Sequence, residues 1–363
     1  MRILHLCQRD DPDTGGSLRV AEALVREQRK LGHDVWLLFL YGDLGSVAQA
    51  IGTQVETLGL ASSREAPLGV LALRCAIWRI RPDVVHSHDG IFWPRLAFLF
   101  NRTPLVMHSH LPISMSSELK SRMGSYLVKS TTDLLIGISL PTIETWVQRN
   151  FPPSKIHYVP NGVDVERFSC LAEQERTGNR NRLGLPVDKR ILLWVGRVHR
   201  QMKGSDRVEK VARMLPADTC LVVVGDGPDA SGMRERCADL IASGSLLLAG
   251  SCAEPEIYYQ TADIFLFTSY YEPFGLVILE AAAAGLPIVS FPVTGGGGAV
   301  QLLEEVSATM LGNHPTVEDL LKALNEKSVQ FPQTSQQVLD KYNWSRIAKM
   351  IHENYELAIN PAL

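Results

Sequence analysis

A short apolar run, a glycine-bearing loop, a helix-spaced segment and a second apolar run open this chain. The same order begins again at Ile191. At the start, Ile3–Cys7 reads as a strand and the loop Gln8–Gly16 ends in Gly15-Gly16. Ser17–Leu31 then sets Leu18, Ala21, Leu24, Val25 and Leu31 at helical spacing before Gly32 closes it. Val35–Tyr41 is the next strand. Strand, helix and strand in this order make a βαβ unit, whose crossover returns over the face of a parallel sheet. Two such alternations in 363 residues predict an α/β protein of two doubly wound domains.

Further strands are expected at 55–58, 82–88, 104–110, 134–139 and 156–160, with helices at 69–79, 92–100, 118–129 and 142–150. Residues 169–186 turn polar and read as a connector. Beyond it, strands are expected at 191–195, 220–224, 246–249, 264–267 and 287–291, and a last helix at 343–359. The expected division is a domain over 1–165, a linker over 166–186 and a second domain over 187–344.

With 45% hydrophobic and 21% charged residues the chain can bury ample core, and a net charge of −3 gives no field that draws nucleic acid. The six cysteines are scattered and form no Cys-x-x-Cys pair, so neither a disulfide framework nor a zinc site is expected. The first apolar run is too short for a leader, and no run reaches the length of a bilayer span. These features predict a reduced, cytoplasmic protein, at most peripheral to the inner membrane face.

The stretch Thr268–Gly285 carries the chemistry. Ile264–Phe267 enters it as a buried strand, Pro273 and Gly275 break the chain, and Leu276–Ala284 is a strong helix former. Phe274, Gly275 and Leu276 then offer unpaired amides at a helix start, where phosphate binds well. Glu272 just outside and Glu280 two turns in would repel a phosphate on top of them and suit flanking hydroxyls. A capping Glu272 with a solvated Glu280 is the plainer alternative. Arg197 and Lys203, after the strand at 191–195, supply the positive charge that a diphosphate needs; isolated, they would be solvated surface. Gly15-Gly16 would let the backbone approach a ligand, or make a tight turn. Strands 82–88 and 104–110 each end in His-x-His. Two such pairs without a third acidic or sulfur ligand point to substrate contacts more than to a metal.

Taken together, these residues resemble the retaining, nucleotide-sugar-dependent glycosyltransferases of GT-B fold, the group 1 family that includes glycogen and sucrose synthases. The matching pieces are Asn161-Gly162-Val163-Asp164, Gly196-Arg197 with Lys203-Gly204, and Val224-Gly225-Asp226-Gly227-Pro228. Glu272 and Glu280 as a Glu-x7-Glu pair, and Gly295-Gly296, complete them. The resemblance implies two Rossmann-like domains facing across a cleft, with the last helix, 345–363, packing back on the first. It implies that Arg197 and Lys203 bind the diphosphate, Glu280 holds the ribose, and Glu272 with the Phe274, Gly275 and Leu276 amides holds the sugar. Gly15 and Gly16 would close on the diphosphate, and His110, rather than His108, would contact the donor sugar. The family often has an acidic residue soon after Gly295-Gly296. Here Gly297-Gly298-Ala299-Val300-Gln301 follows instead, which puts that loop's donor contact in doubt.

The implied reaction moves a hexose-type sugar to a hydroxyl acceptor without metal or cofactor, as in glycan, polysaccharide or glycolipid synthesis. The residues do not separate UDP, GDP and ADP donors, and a UDP-sugar is the expectation carried forward. The acceptor is open; the basic and apolar helix 118–129, with Lys120, Arg122 and Lys129, is a candidate for contact with a membrane bearing a lipid-linked acceptor. A solvated helix is the alternative. Other readings are weaker. Gly225-x-Gly227-x-x-Ala230 scans as a dinucleotide fingerprint but lacks an acid about twenty residues on. Asp11-Pro12-Asp13 suits a turn, and a catalytically inactive sugar-nucleotide-binding scaffold of the same fold is the main alternative.

Overall fold

Parallel strands covered on both faces by helices have no wet side, which is why they read as unbroken Val, Ile and Leu runs. All six residues of one such strand, Thr219–Val224, are buried. The computed structural model describes residues 1–11, 16–88, 93–111, 122–325 and 333–360. Residues 1–161 with 344–363 form one compact unit, and 162–343 form another.

The first unit holds β1 (Arg2–Arg9), β2 (Asp34–Tyr41), β3 (Val55–Leu60), β4 (Val84–His88), β5 (Leu105–Ser109), β6 (Leu134–Gly137) and β7 (Ile156–Tyr158). Its sheet runs β3-β2-β1-β4-β5-β6-β7 with parallel pairing. The second holds β8 (Arg190–Val195), β9 (Thr219–Val224), β10 (Leu246–Gly250), β11 (Ile264–Phe267), β12 (Ile288–Ser290) and β13 (Thr309–Met310), in the order β10-β9-β8-β11-β12-β13. Strand order reverses beside the first strand of each sheet, between β1 and β4 and between β8 and β11. Crossovers part at that point and leave a crevice at the strands' carboxyl ends.

The helix Trp344–Ile359 belongs to the first unit, where it packs against the helix Gly16–Lys30 and against β4 and β5. Ile347, Ile351 and Tyr355 are fully buried there, and burying each such side chain contributes roughly 1.5–3 kcal/mol. The stretch read as a connector is ordered: Glu173–Arg182 is a helix. It has little apolar surface and is held instead by Arg176 and Arg180, which both reach Asp263. The helix expected at 92–100 is a tighter 3-10 stretch, Trp93–Phe98. A Cβ at Gly69 would lie 2.7 Å from Trp93, so glycine lets the helix Ala66–Ile80 close onto it.

Candidate functional site

In the second unit the sequence candidates gather at the carboxyl ends of β8 and β11, the switch point of that sheet. Lys203 ends the short helix Arg200–Lys203, and Gly204 turns the chain with φ +68°. A side chain at Gly204 would meet the Thr268 carbonyl at 2.1 Å, so only glycine allows this approach. Thr268 Oγ1 donates to the Lys203 carbonyl at 2.7 Å, and the Tyr270 and Tyr271 amides donate to Met202 at 2.9 and 3.0 Å. Underneath, Arg207 donates to the Thr268 and Pro292 carbonyls and lies 3.7 Å from the centre of the Tyr270 ring. The two loops are thus clasped together, and the Lys203 ammonium meets the Glu272 carboxylate at 2.5 Å. Glu272 is buried to 10% side-chain exposure, and Ser269 Oγ lies 3.4 Å from the same carboxylate oxygen.

Glu272 lies beside two helix starts. Gly275, at φ +101°, caps the helix Leu276–Ala283, and its carbonyl takes the Ile278 amide at 2.9 Å. The amides of Leu276 and Val277 precede any helical carbonyl that could take them. From the other side the loop at Gly295–Gly297 packs on Glu272 itself. The Glu272 amide donates to the Gly295 carbonyl at 3.1 Å, and a Cβ at Gly296 would come within 2.7 Å of the Glu272 backbone. The helix Gly298–Glu305 starts from that loop. Arg197 is exposed at the exit of β8, where its loop packs on Gly225 and Gly227. A Cβ at Gly225 would stand 1.9 Å from the Gly196 carbonyl, which accounts for the glycine of Gly225-Asp226-Gly227-Pro228.

Glu280 accepts a 2.7 Å hydrogen bond from the Tyr259 hydroxyl. Tyr259 is fully buried, and burial, with Glu280 beside it, raises its pKa well above the usual phenol range. Phe168 packs edge-on against Tyr259, and Asp164 caps the turn that carries Phe168 by accepting from the Arg167 amide. The run Asn161–Phe168 therefore includes a brace for Tyr259, and through it for Glu280. Sequence reasoning missed Tyr259, which sits 21 residues away on another helix.

In the first unit, Gly16 opens the helix Gly16–Lys30 and is exposed, whereas Gly15 lies outside the described residues. His110 follows β5 and is buried. The other rings of both His-x-His pairs surround it, together with His5, which the sequence did not announce. β1 pairs with β4 so that His5 faces His86, and β4 pairs with β5 so that His88 faces His108. Alternate residues share a face. His5, His86, His88, His108 and His110 therefore lie together, all buried. Burial pushes His5 down to about 4 and His110 to about 3. Burial and the neighbouring imidazoles hold His86, His88 and His108 well below the usual histidine range, so all five rings are neutral near pH 7.

Two triads of these rings, His5 with His86 and His88, and His88 with His108 and His110, bring their nitrogens within 4.8 Å of one another. The geometry nevertheless suits hydrogen bonds better than an ion. His5 Nδ1 lies 2.8 Å from His88 Nε2 with ring centres 5.1 Å apart, so the two nitrogens face each other in line. His88 Nδ1 and His110 Nε2 do the same at 3.0 Å, with ring planes 9° apart. A tetrahedral ion about 2.0–2.1 Å from each nitrogen would hold a pair about 3.3 Å apart and bend the lone pairs toward a common point.

Of the helix expected at 118–129, the structure describes Arg122–Thr131; Lys120 lies outside the described residues. No described helix is long and apolar enough to cross a membrane.

Two Rossmann-like units of this strand order, the second with basic residues and a glutamate loop at its switch point, make a protein of GT-B architecture. Its parts are glycosyltransferase domains: residues 14–167 match Glycosyltransferase Family 4 and residues 175–328 match Glycosyl transferases group 1, so by family the chain belongs with the glycosyltransferases. It is similar to a D-inositol 3-phosphate glycosyltransferase of Xylanimonas cellulosilytica, 31% identical over 274 residues. That alignment covers 67% of this chain and 63% of the relative, less than two thirds of its length. An uncharacterized glycosyltransferase of Methanocaldococcus jannaschii is 28% identical, with 94% of this chain and 93% of that protein covered. Among solved structures, HepE of Anabaena in complex with UDP superposes with a TM-score of 0.80 at 20% identity, covering 98% and 100% of the two chains. Sucrose-phosphate synthase of Thermosynechococcus elongatus gives 0.75 at 19% identity, with 99% of each covered. At these identities the structural likeness bears on the fold.

Proposed function

We propose that this protein is a retaining, metal-independent glycosyltransferase that moves a hexose-type sugar from a UDP-sugar to a hydroxyl acceptor. The observation that carries the reading is the Lys203–Glu272 pair, fixed by clasped loops beside the starts of two helices. Such a place offers a cation and helix amides for a diphosphate, and a carboxylate for sugar hydroxyls next to it. On this reading Lys203 and Arg197 neutralise the departing diphosphate, which is where charge develops as the glycosidic bond breaks. Glu272 and the Phe274, Gly275 and Leu276 amides hold the sugar, Glu280 holds the ribose hydroxyls, and Gly15, Gly16 and His110 serve from the first unit. The acceptor oxygen bonds to the anomeric carbon on the face that the phosphate leaves, and the acceptor's proton passes to the departing phosphate oxygen. No side chain acts as nucleophile. The crystal complexes of Anabaena HepE with UDP and with UDP-glucose support the choice of donor by analogy of fold.

For the acceptor, the surface favours a lipid-linked hydroxyl presented at an anionic membrane. On the helix Ala66–Ile80, Leu68, Leu71 and Trp78 are 67%, 61% and 75% exposed. Phe100 is fully exposed and held at φ +65°, a strained backbone for an aromatic residue. Arg74 ties the two together by donating to the Leu99 carbonyl. Arg64, Arg81 and Arg102, beside the ends of these segments in the chain, are exposed. Of the acids nearby, Glu56 is paired to Arg79, and Glu65 and Asp83 accept from the Ala61 and Arg2 amides. Aromatic and leucine side chains edged by arginine suit the boundary of an anionic bilayer.

The test is a panel of UDP-, GDP- and ADP-sugars read by thermal shift and by nucleotide release. One donor that both stabilises the protein and is consumed supports the reading, with Lys203→Ala folded but inactive. Binding without release for every donor and acceptor would leave a sugar-nucleotide-binding protein in its place.

A further inference from the structure

A neutral imidazole donates from one nitrogen and accepts at the other, so in a hydrogen-bonded series of them one fixed proton fixes all the rest. Two such series begin at the buried amide of Gln28. In the first, Gln28 Oε1 lies 2.7 Å from His5 Nε2 and, being an oxygen, can only accept from it. That leaves neutral His5 to accept at Nδ1 from His88 Nε2, 2.8 Å away, and neutral His88 to accept at Nδ1 from His110 Nε2, 3.0 Å away. In the second, Gln28 Nε2 donates to the Tyr355 hydroxyl at 3.0 Å, that hydroxyl lies 2.6 Å from His86 Nδ1, and His86 Nε2 lies 3.0 Å from His108 Nδ1. Every polar atom along both series is used. Two ring nitrogens remain, His110 Nδ1 and His108 Nε2, each buried with no partner among the described residues.

We propose that Gln28, His5 and His88 are positioning residues for His110, holding its proton on Nε2 and keeping Nδ1 as a bare acceptor for a hydroxyl of the donor sugar. This rests on the reading of His110 given above and adds to it which nitrogen serves and what sets it. A histidine in water exchanges its two tautomers, and a site built to accept one hydroxyl loses strength for each moment the wrong nitrogen is protonated. Burying two imidazoles and an amide in line behind His110 removes that exchange, because no proton in the series can move without moving the others. Turning the Gln28 amide over would reverse the series as a whole and place a proton on His110 Nδ1. The two arrangements are therefore exclusive. His110 Nδ1, like His108 Nε2, is a buried polar atom without a partner among the described residues, and such an atom is costly to keep.

The test is nitrogen NMR on the full chain with ring-labelled histidines near pH 7. We expect His110 to show a protonated Nε2 and an unprotonated Nδ1. In Gln28→Met the His110 nitrogens should move toward the average of exchanging tautomers. Tyr355→Phe cuts only the second series, so it should release His86 and His108 and leave His110 locked. Averaged His110 nitrogens in the unaltered protein, or a proton on Nδ1, overturn the proposal without recourse to any variant. In a transfer assay Gln28→Met should lower kcat about tenfold, the worth of one hydrogen bond, with nucleotide affinity kept. A locked His110 in a protein that transfers no sugar would refute the sugar contact and the functional reading while leaving the lock. Transfer at full rate with an averaged His110 would refute the lock alone.

Discussion

The Tyr259 hydroxyl donates to Glu280 at 2.7 Å from a fully buried ring, so the carboxylate is oriented from behind by a group that solvent does not reach. If Glu280 takes the ribose hydroxyls, this bond sets the direction in which its lone pairs face the nucleotide. Tyr259→Phe keeps the ring's packing on Phe168 and removes only that bond. We expect affinity for a nucleoside diphosphate to fall about tenfold, since hydrogen bonds to charged groups contribute roughly 1.5–3 kcal/mol. The preference for UDP over its 2′,3′-dideoxy analogue should shrink with it in titration calorimetry. An unchanged preference would remove Glu280 from the ribose.

The glycine at 204 separates backbone strain from steric overlap. Gly204 and Gly244 have nearly the same positive φ, +68° and +70°, in the same unit. A Cβ at Gly244 meets nothing within 4 Å, whereas one at Gly204 meets the Thr268 carbonyl at 2.1 Å. Gly244→Ala should therefore lose only the left-handed backbone term, about 1–2 kcal/mol. Gly204→Ala must also part the clasped loops, for a loss on the order of 3–5 kcal/mol in urea unfolding, with the Lys203–Glu272 contact broken. Equal losses for the two would mean that the loops yield without resistance.

What the sequence made legible follows from where its information is local. Strands buried on both faces write themselves as apolar runs, and the bounds expected for β8, β9 and β11 lie within a residue of those observed. Glycines 196, 204, 225 and 275 stood out because each sits where two backbones meet or a helix starts. Other features depend on register and on distant pairing, which no run of residues spells out. His5 is an unremarkable strand residue until β1 sets it opposite His86. Tyr259 belongs to a helix that shows no link to Glu280 in the chain. The helix Glu173–Arg182 looks like a linker because its anchor is two arginines on one aspartate rather than an apolar face. The loop at Gly295–Gly297, doubted because no acid follows it, packs on the Glu272 backbone through its glycines.

The exposed face of the helix Ala66–Ile80 makes a binding prediction. The protein should sediment with vesicles containing phosphatidylserine, less well as salt rises, because arginines contribute roughly 1 kcal/mol each near an anionic surface and are screened within a Debye length. Trp78, 75% exposed, should blue-shift in emission on binding. Leu71→Glu puts a charge in the middle of the apolar stripe at a site that supports no core, so it should abolish sedimentation and leave thermal stability unchanged. Vesicle binding that survives Leu71→Glu would move the contact elsewhere on the surface.

Acid should open the first unit before the second. An unfolded histidine takes up a proton near pH 6.5, whereas in the fold His5 stays neutral down to about 4 and His110 to about 3. Between those limits the unfolded chain binds more protons than the folded one, so stability is whole above about pH 6.5 and falls as the pH drops. Each such ring removes about 1.4 kcal/mol per pH unit in that window, and His86, His88 and His108 act in the same direction. The second unit contains only His199 and His314, and neither is buried. Hydrogen exchange at pH 7 and pH 5, corrected for the intrinsic rates, should show protection lost in β1, β4 and β5 while β8, β9 and β11 keep theirs. Parallel loss in both sheets, or none in either, would mean that the five rings are not neutral together in the folded protein.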